Sequence, residues 1–290
     1  MKVRLVHLSD THFGFEDKNA IEAATAMAHD LAPSLTLVTG DLTLAGRPAE
    51  FRAARAWLDR LPVPTLVTPG NHDTPYWNPL LRALIPFDRW RRFIGAENPA
   101  RFEGPGLAAY ALNTARGAQL RPNWALGAVS LLGVENIAAG MAASPGRLRL
   151  FACHHPLIDV EGAPVSGGVR RGDAATRRLC EAGVDLILCG HVHNPFARPL
   201  PHGGGFSYVA IAGTLSRRTR GVPASFSVID AADDTLAITA HAWTGSHFEP
   251  FRTWAFPRRR VGREASQASV SPPVSHGDLD LPRPSPGLRP

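Results

Sequence analysis

Imidazole, carboxylate and amide side chains recur in five short blocks along this 290-residue sequence: Asp10-Thr11-His12, Gly40-Asp41, Gly70-Asn71-His72-Asp73, His154-His155 and Gly190-His191-Val192-His193. Each block alone has an ordinary explanation. An Asp after a strand caps a helix or makes a turn, Gly-Asn and Gly-Asp are turn dipeptides, and a lone His-x-His is commonly structural. Together they supply six His, three Asp and an Asn, which independent turns have no reason to do. A metal centre does need several nitrogen and oxygen donors in one place. A set this rich in imidazole suits Mn, Fe, Zn or Co better than Mg or Ca, which prefer oxygen.

Such donors must be brought together by the elements that precede them. Apolar strand-like runs at Val3–Leu8, Leu35–Thr39 and Thr65–Val67 alternate with helical stretches near Ala20–Leu31 and Glu50–Leu61. That β-α-β-α-β order is the signature of an α/β layered domain. Further strands are expected at Ala108–Asn113, Val129–Gly133, Arg149–Cys153, Leu186–Cys189, Tyr208–Ala212, Ser225–Ile229 and Leu236–Ala242, with a helix near Ala174–Ala182. Every donor block directly follows a strand, the place where open α/β sheets bind ligands. The late strands point to a second sheet packed on the first, so the expected fold is α/β, a four-layer α/β/β/α sandwich of two mixed sheets.

The blocks D-x-H, G-D, G-N-H-D, H and G-H-x-H stand in the order found in the calcineurin-like metallophosphoesterase superfamily, which the chain resembles over roughly residues 5–195. The full set is similar to that of class III cyclic nucleotide phosphodiesterases and the related glycerophosphodiesterases. The resemblance implies two divalent ions with Asp41 bridging, Asp10, His12 and His193 completing one, and Asn71, His154 and His191 the other. It implies that His72 is not a ligand but lies over the substrate, to protonate the leaving oxygen or stabilise the transition state. Asp73 would orient His72, and His155 would stand outside the coordination shell. Two such ions lower the pKa of a bridging water, whose hydroxide attacks phosphorus in line. Two divalent ions with Asp10 and Asp41 leave a site near +2, suited to an anionic phosphoryl group. The implied activity is hydrolysis of a small phosphodiester, such as a 3′,5′-cyclic nucleotide or a glycerophosphodiester. The alternatives are a UDP-diacylglucosamine pyrophosphohydrolase and a broad phosphomonoesterase or protein phosphatase.

Two loops are candidates to choose the substrate. Pro75–Phe93 carries Tyr76, Trp77, Phe87, Trp90 and Phe93 among Arg82, Arg89, Arg91 and Arg92. It reads either as an amphipathic helix with Leu80, Leu81 and Leu84 facing the core and its arginines in solvent, or as a cap in which Trp77, Asn78 and Arg82 contact substrate. The second loop, 211–221, offers Arg217, Arg218 and Arg220 to an anion, Arg217 being the favoured contact. Arg116 is a weaker candidate.

Composition bounds the rest. The formal net charge is +6, and half of that excess lies from Arg258 onward, which leaves no basic stripe of the kind a nucleic-acid binder needs. No run of about eighteen uncharged apolar residues is present to span a bilayer, though peripheral membrane contact through the cap and homo-oligomerisation both stay open. Three cysteines and a strand-like start without an apolar leader lead to the expectation of a cytoplasmic protein. Residues 1–257 read as one metallophosphoesterase domain and 258–290, rich in Pro, Ser and Arg, as a disordered tail.

Overall fold

The strands expected from apolar runs form two six-stranded sheets in a computed structural model that describes residues 2–95, 100–121, 123–159 and 169–259. The first sheet runs β12-β11-β10-β1-β2-β3, with β1 (Val3–Leu8), β2 (Leu35–Thr39) and β3 (Thr65–Thr68) parallel. Its antiparallel half is β10 (Ser225–Ala231), β11 (Thr235–Trp243) and β12 (Phe248–Pro257). The second runs β4-β5-β6-β7-β9-β8: β5 (Leu107–Ala111), β6 (Leu148–Ala152), β7 (Leu186–His193) and β9 (Tyr208–Gly213) are parallel, and β4 (Ala100–Gly104) and β8 (Phe196–Pro199) close the edges antiparallel.

Strand alternation divides the core into three apolar clusters. Leu5, Leu37, Leu66, Leu150, Leu188 and Ile229 meet between the sheets. On the outer face of the first sheet, Val6, Val38 and Phe226 pack against α1 (Lys18–Leu31) and α2 (Pro48–Leu58) through Ile21, Ala24, Phe51 and Trp57. On the outer face of the second, Tyr110, Phe151 and Ile187 receive α5 (Leu131–Ala142) and α6 (Gly172–Glu181), which follow the short helices α3 (Pro79–Leu84) and α4 (Asp88–Phe93). The result is the expected α/β/β/α sandwich of two mixed sheets.

Local signals explain the helices. Asp17 accepts from Ala20 N to cap α1, and Glu50 accepts from Ala45 N and Arg47 N at the start of α2. Val129–Gly133, expected as a strand, instead leads into α5. Ser130 accepts from Gly133 N as an N-cap, and the buried Val134, Ile137, Ala138 and Met141 recur at helical spacing. The strands β4, β8 and β12 were not expected; all three are sheet edges, where one-sided burial leaves no continuous apolar run. Arg258, placed in the tail by composition, is buried and donates to Ala232 O. From residue 260 the tail lies outside the described residues. No helix among the described residues is long and apolar enough to cross a membrane.

Candidate metal centre

The carboxyl ends of β1, β2 and β3 meet those of β6 and β7 at one rim, which brings all five donor blocks together. Four overlapping groups of side chains each have ligand atoms within 4.8 Å of one another: Asp10, His12 and His193; His12, Asp41 and His72; Asp10, Asp41 and His154; His154, His155 and His191. Asp10 stands 2.9 Å from His193 Nε2, and Asp41 Oδ2 is 3.3 Å from His154 Nε2. Asp41 is thus shared between neighbouring groups, as a bridging ligand has to be.

Backbone shape aims these side chains. Asp10, His12, Asp41, His191 and His193 all have positive φ, from 44° to 71°, a conformation that costs a non-glycine residue about 1–3 kcal/mol. The strain is held by neighbouring main chain: Asp10 N and His12 N donate across to Gly40 O and Asp41 O. Glycine is required where the loops cross, since a Cβ at Gly190 would overlap Ser9 Oγ and the Asp10 carboxylate.

Hydrogen bonds select the tautomers. His154 Nδ1 donates to Thr39 O at 2.7 Å, His193 Nδ1 to Arg218 O at 2.6 Å and His12 Nδ1 to Thr43 O at 3.3 Å. A carbonyl only accepts, so in each neutral ring the proton sits outward and Nε2 faces inward bare. His12 Nε2 and His193 Nε2 then face each other at 3.3 Å, and His154 Nε2 stands 3.2 Å from His191 Nδ1. The two Nε2 lone pairs of His12 and His193 repel at that distance unless a cation lies between them. Asn71 Oδ1 is buried without a hydrogen-bond partner, the state of an amide oxygen whose partner is a metal. The donor set fits divalent ions.

Electrostatics agree. Burial opposes the charged form of His154, but Asp41 and Asp10 reverse this and raise its pKa to about 10. Burial and the neighbouring His154 hold His191 down at about 3. The ion-free centre therefore keeps one proton beside Asp41, where a metal ion would sit.

His72 lies beside this centre. Its Nδ1 donates to Leu44 O at 2.5 Å, its ring stacks on Tyr76 with centroids 5.3 Å apart, and its Nε2 accepts from Arg218 Nη1 at 2.9 Å. Asp73 does not orient it. The Asp73 carboxylate instead accepts from Gly70 N, Leu42 N and Thr43 N, tying the loops after β2 and β3 together, and burial followed by the nearby Asp41 raises its pKa to about 7. His155 is taken at both ring nitrogens, donating to Ala125 O and accepting from Thr114.

The substrate candidates divide. Asn78 caps α3 by accepting from Leu81 N, and Trp77 is exposed with its ring edge-on to Tyr76. The expected orientation of α3 is reversed: Leu80 and Leu84 are 68% and 69% exposed, whereas Arg82 is 6% exposed. Arg82 donates to Gly117 O and Trp124 O and lies over the Tyr76 and Trp124 rings. Arg217 is exposed, and its main chain donates to Phe15 O. The side chain of the next residue, Arg218, reaches His72 instead.

The match of a family profile decides the kinship: residues 3–195 fit Calcineurin-like phosphoesterase. The chain belongs to the calcineurin-like phosphoesterase family. It is a hydrolase of phosphoesters, in a family that uses divalent metals, and its His and Asp clusters could hold such ions. A probable cyclic nucleotide phosphodiesterase of Synechococcus sp. is 26% identical over 216 residues, 68% of this chain and 75% of that one. A glycerophosphodiester phosphodiesterase of Enterobacter lignolyticus is 41% identical over 80 residues, 24% of this chain and 29% of that relative's length. Among solved structures, a purple acid phosphatase from yellow lupin superposes with a TM-score of 0.63 at 14% identity, covering 93% of this chain and 57% of that one, a likeness of fold.

Proposed function

We propose that this calcineurin-like phosphoesterase is a dinuclear-metal phosphodiesterase for a small diester, of the 3′,5′-cyclic nucleotide or glycerophosphodiester kind. One observation carries the reading: the Nε2 atoms of His12 and His193, their Nδ1–H groups anchored on carbonyls, face each other bare at 3.3 Å with the Asp10 and Asp41 carboxylates beside them. Asp10, His12 and His193 would hold one ion and Asn71, His154 and His191 the other, with Asp41 between. The names of the two curated relatives support the substrate class. When bound, two divalent ions supply an activated water and charge stabilisation at phosphorus.

The side chains around that centre have their own tasks. His72 keeps its proton on Nδ1, so at Nε2 it accepts; burial, which lowers its pKa, keeps the ring neutral. His72 Nε2 instead holds the Arg218 guanidinium in place beside the centre. Tyr76 walls the other side of the ring, and Trp77 beyond it offers a face to a substrate's base or alkyl group. The exposed Trp77, Leu80 and Leu84 also support a second reading, a pyrophosphohydrolase for a lipid-linked nucleotide.

The test is hydrolysis of bis(4-nitrophenyl) phosphate against 4-nitrophenyl phosphate by protein loaded with Mn²⁺, before and after chelation, and for His72→Ala. Diester turnover that chelation abolishes and His72→Ala reduces is expected. Hydrolysis of the monoester alone would move the protein to the phosphatases. Activity unaffected by chelation would remove the metal reading.

A further inference from the structure

We infer that Arg218 determines specificity by holding a second negative charge of the substrate beside the scissile phosphorus. The inference rests on the phosphoester-hydrolase reading and adds a statement about substrate charge. Arg218 is built into the site at three points. Its carbonyl accepts from His193 Nδ1, its N donates to Ser216 Oγ, and Nη1 donates to His72 Nε2 at 2.9 Å. Ser216 is anchored through Thr214, whose hydroxyl donates to Asp10 O. The loop after β9 is therefore latched to the loop after β1, and the guanidinium is placed before any substrate arrives.

The guanidinium is also uncommitted. No carboxylate pairs with Arg218 among the described residues, and its side chain's sole hydrogen bond there goes to a neutral imidazole. Arg220, on the same loop, donates instead to the His191 and Val192 carbonyls. Guanidinium binds a phosphoryl group through two N–H groups at once, a stronger pairing than one bond to imidazole. Two divalent ions and two carboxylates leave the centre near +2, and Arg218 raises it to +3. An ordinary diester brings one negative charge. A phosphomonoester, or a diester of pyrophosphate, brings two. The extra cation rewards a second charge, so Arg218 discriminates in favour of a substrate dianionic around the reacting phosphorus, such as the pyrophosphate of the lipid-linked reading, and adds little for a monoanionic small diester.

The experiment compares wild type, Arg218→Met and Arg218→Lys as full-length, Mn²⁺-loaded protein on three substrates: bis(4-nitrophenyl) phosphate as the monoanion, 4-nitrophenyl phosphate as the monoester dianion, and a nucleoside diphosphate sugar as the pyrophosphate dianion. Arg177→Met, an exposed helix residue, controls for net charge. Loss of a charge-assisted hydrogen bond predicts that Arg218→Met lowers kcat/KM about 10- to 100-fold on a dianion and less than about threefold on the monoanion. Lysine should restore part of the loss. The dianion with the larger loss shows whether Arg218 discriminates for a monoester or for a pyrophosphate. Calorimetric titration with inorganic phosphate and with dimethyl phosphate at pH 8 provides a readout independent of turnover: the variant should bind the first more weakly and the second unchanged, with full metal content, because the carbonyl on His193 is retained. Equal losses on monoanion and dianion, an unchanged ratio, or loss of metal would overturn the inference. Should wild type hydrolyse no phosphoester, the proposed function fails, and the phosphate titration still decides the role of Arg218.

Discussion

Between the donor rim and the adjoining segment Pro75–Phe93, burial runs in opposite directions. At the rim the polar groups are inside: Asp10, His12, Asp41, Asn71, His154 and His193 are all buried. In the segment's helix α3 the order is inverted, with Leu80 and Leu84 in solvent and Arg82 beneath them, while Trp90 of α4 packs into the core. The rim tolerates buried donors because each has a fixed partner or a cation to come, and its loops are tied by main-chain hydrogen bonds. The segment has no main-chain ladder to lean on. In α3 one guanidinium spanning Gly117 O and Trp124 O does that work, which leaves the leucines facing outward. Rigidity thus comes mainly from backbone at the chemistry and mainly from side chains at the entrance, Arg82 on Gly117 O and Trp124 O, Arg89 on Gly46 O and the buried Trp90.

The largest expected effect falls on the rim. Asp41→Asn should lower diester turnover about a thousandfold and remove bound metal, because the shared carboxylate is lost; elemental analysis showing two ions retained at full activity would break the comparison. The cap should fail separately. Arg82→Met leaves two buried carbonyls without their donor and should favour local opening of residues 76–86 by about 2 kcal/mol, roughly thirtyfold. Hydrogen exchange would then speed up there while metal content stays intact; faster exchange at the rim as well would show that the two regions are one unit.

A pH dependence follows from His154. Its pKa in the ion-free centre, about 10, lies above the unfolded value near 6.5, so a proton must leave before a metal ion binds. Apparent metal affinity should rise about tenfold per pH unit between pH 6 and 9, as one proton is displaced. The same shift makes this imidazolium's contribution to stability of the ion-free protein complete below pH 6.5 and lost as pH rises through 10. A flat affinity between pH 6.5 and 8.5 would contradict it. The smallest effect is expected at Trp77→Ala: stability within about 0.5 kcal/mol of wild type and turnover of a small chromogenic diester changed less than about threefold, with any larger loss confined to substrates bearing a base or alkyl chain.

The donors of the centre were legible because their residue types are chemically specific and each block follows an apolar run. The interior strands were legible for the same reason, buried on both faces. Of the four edge strands only β3 was, since β4, β8 and β12 lack a continuous apolar run: β12 mixes partly buried and exposed residues and contains Pro250. Nor was the start of α5, where Val129–Gly133 has the apolar density of a strand and its helical period emerges only from Val134 onward. At 217–218 no periodicity separates two adjacent arginines. Arg218 reaches His72 because its backbone is latched through Ser216 and Thr214 to Asp10, a contact spanning some two hundred residues of chain.

By itself, the sequence determined the inventory: imidazole, carboxylate and amide donors in order, each at the end of a strand, within an α/β layered chain. Side-chain type and strand period are local properties, and they survive any packing. Only the tertiary structure decided which nitrogen of His12, His154 and His193 faces inward, that Asp73 braces loops and not His72, that Arg82 is buried beneath its leucines, and that Arg218 is the arginine bonded to His72. Each of those depends on a partner from a distant segment, and loops carry no period from which such a partner could be read.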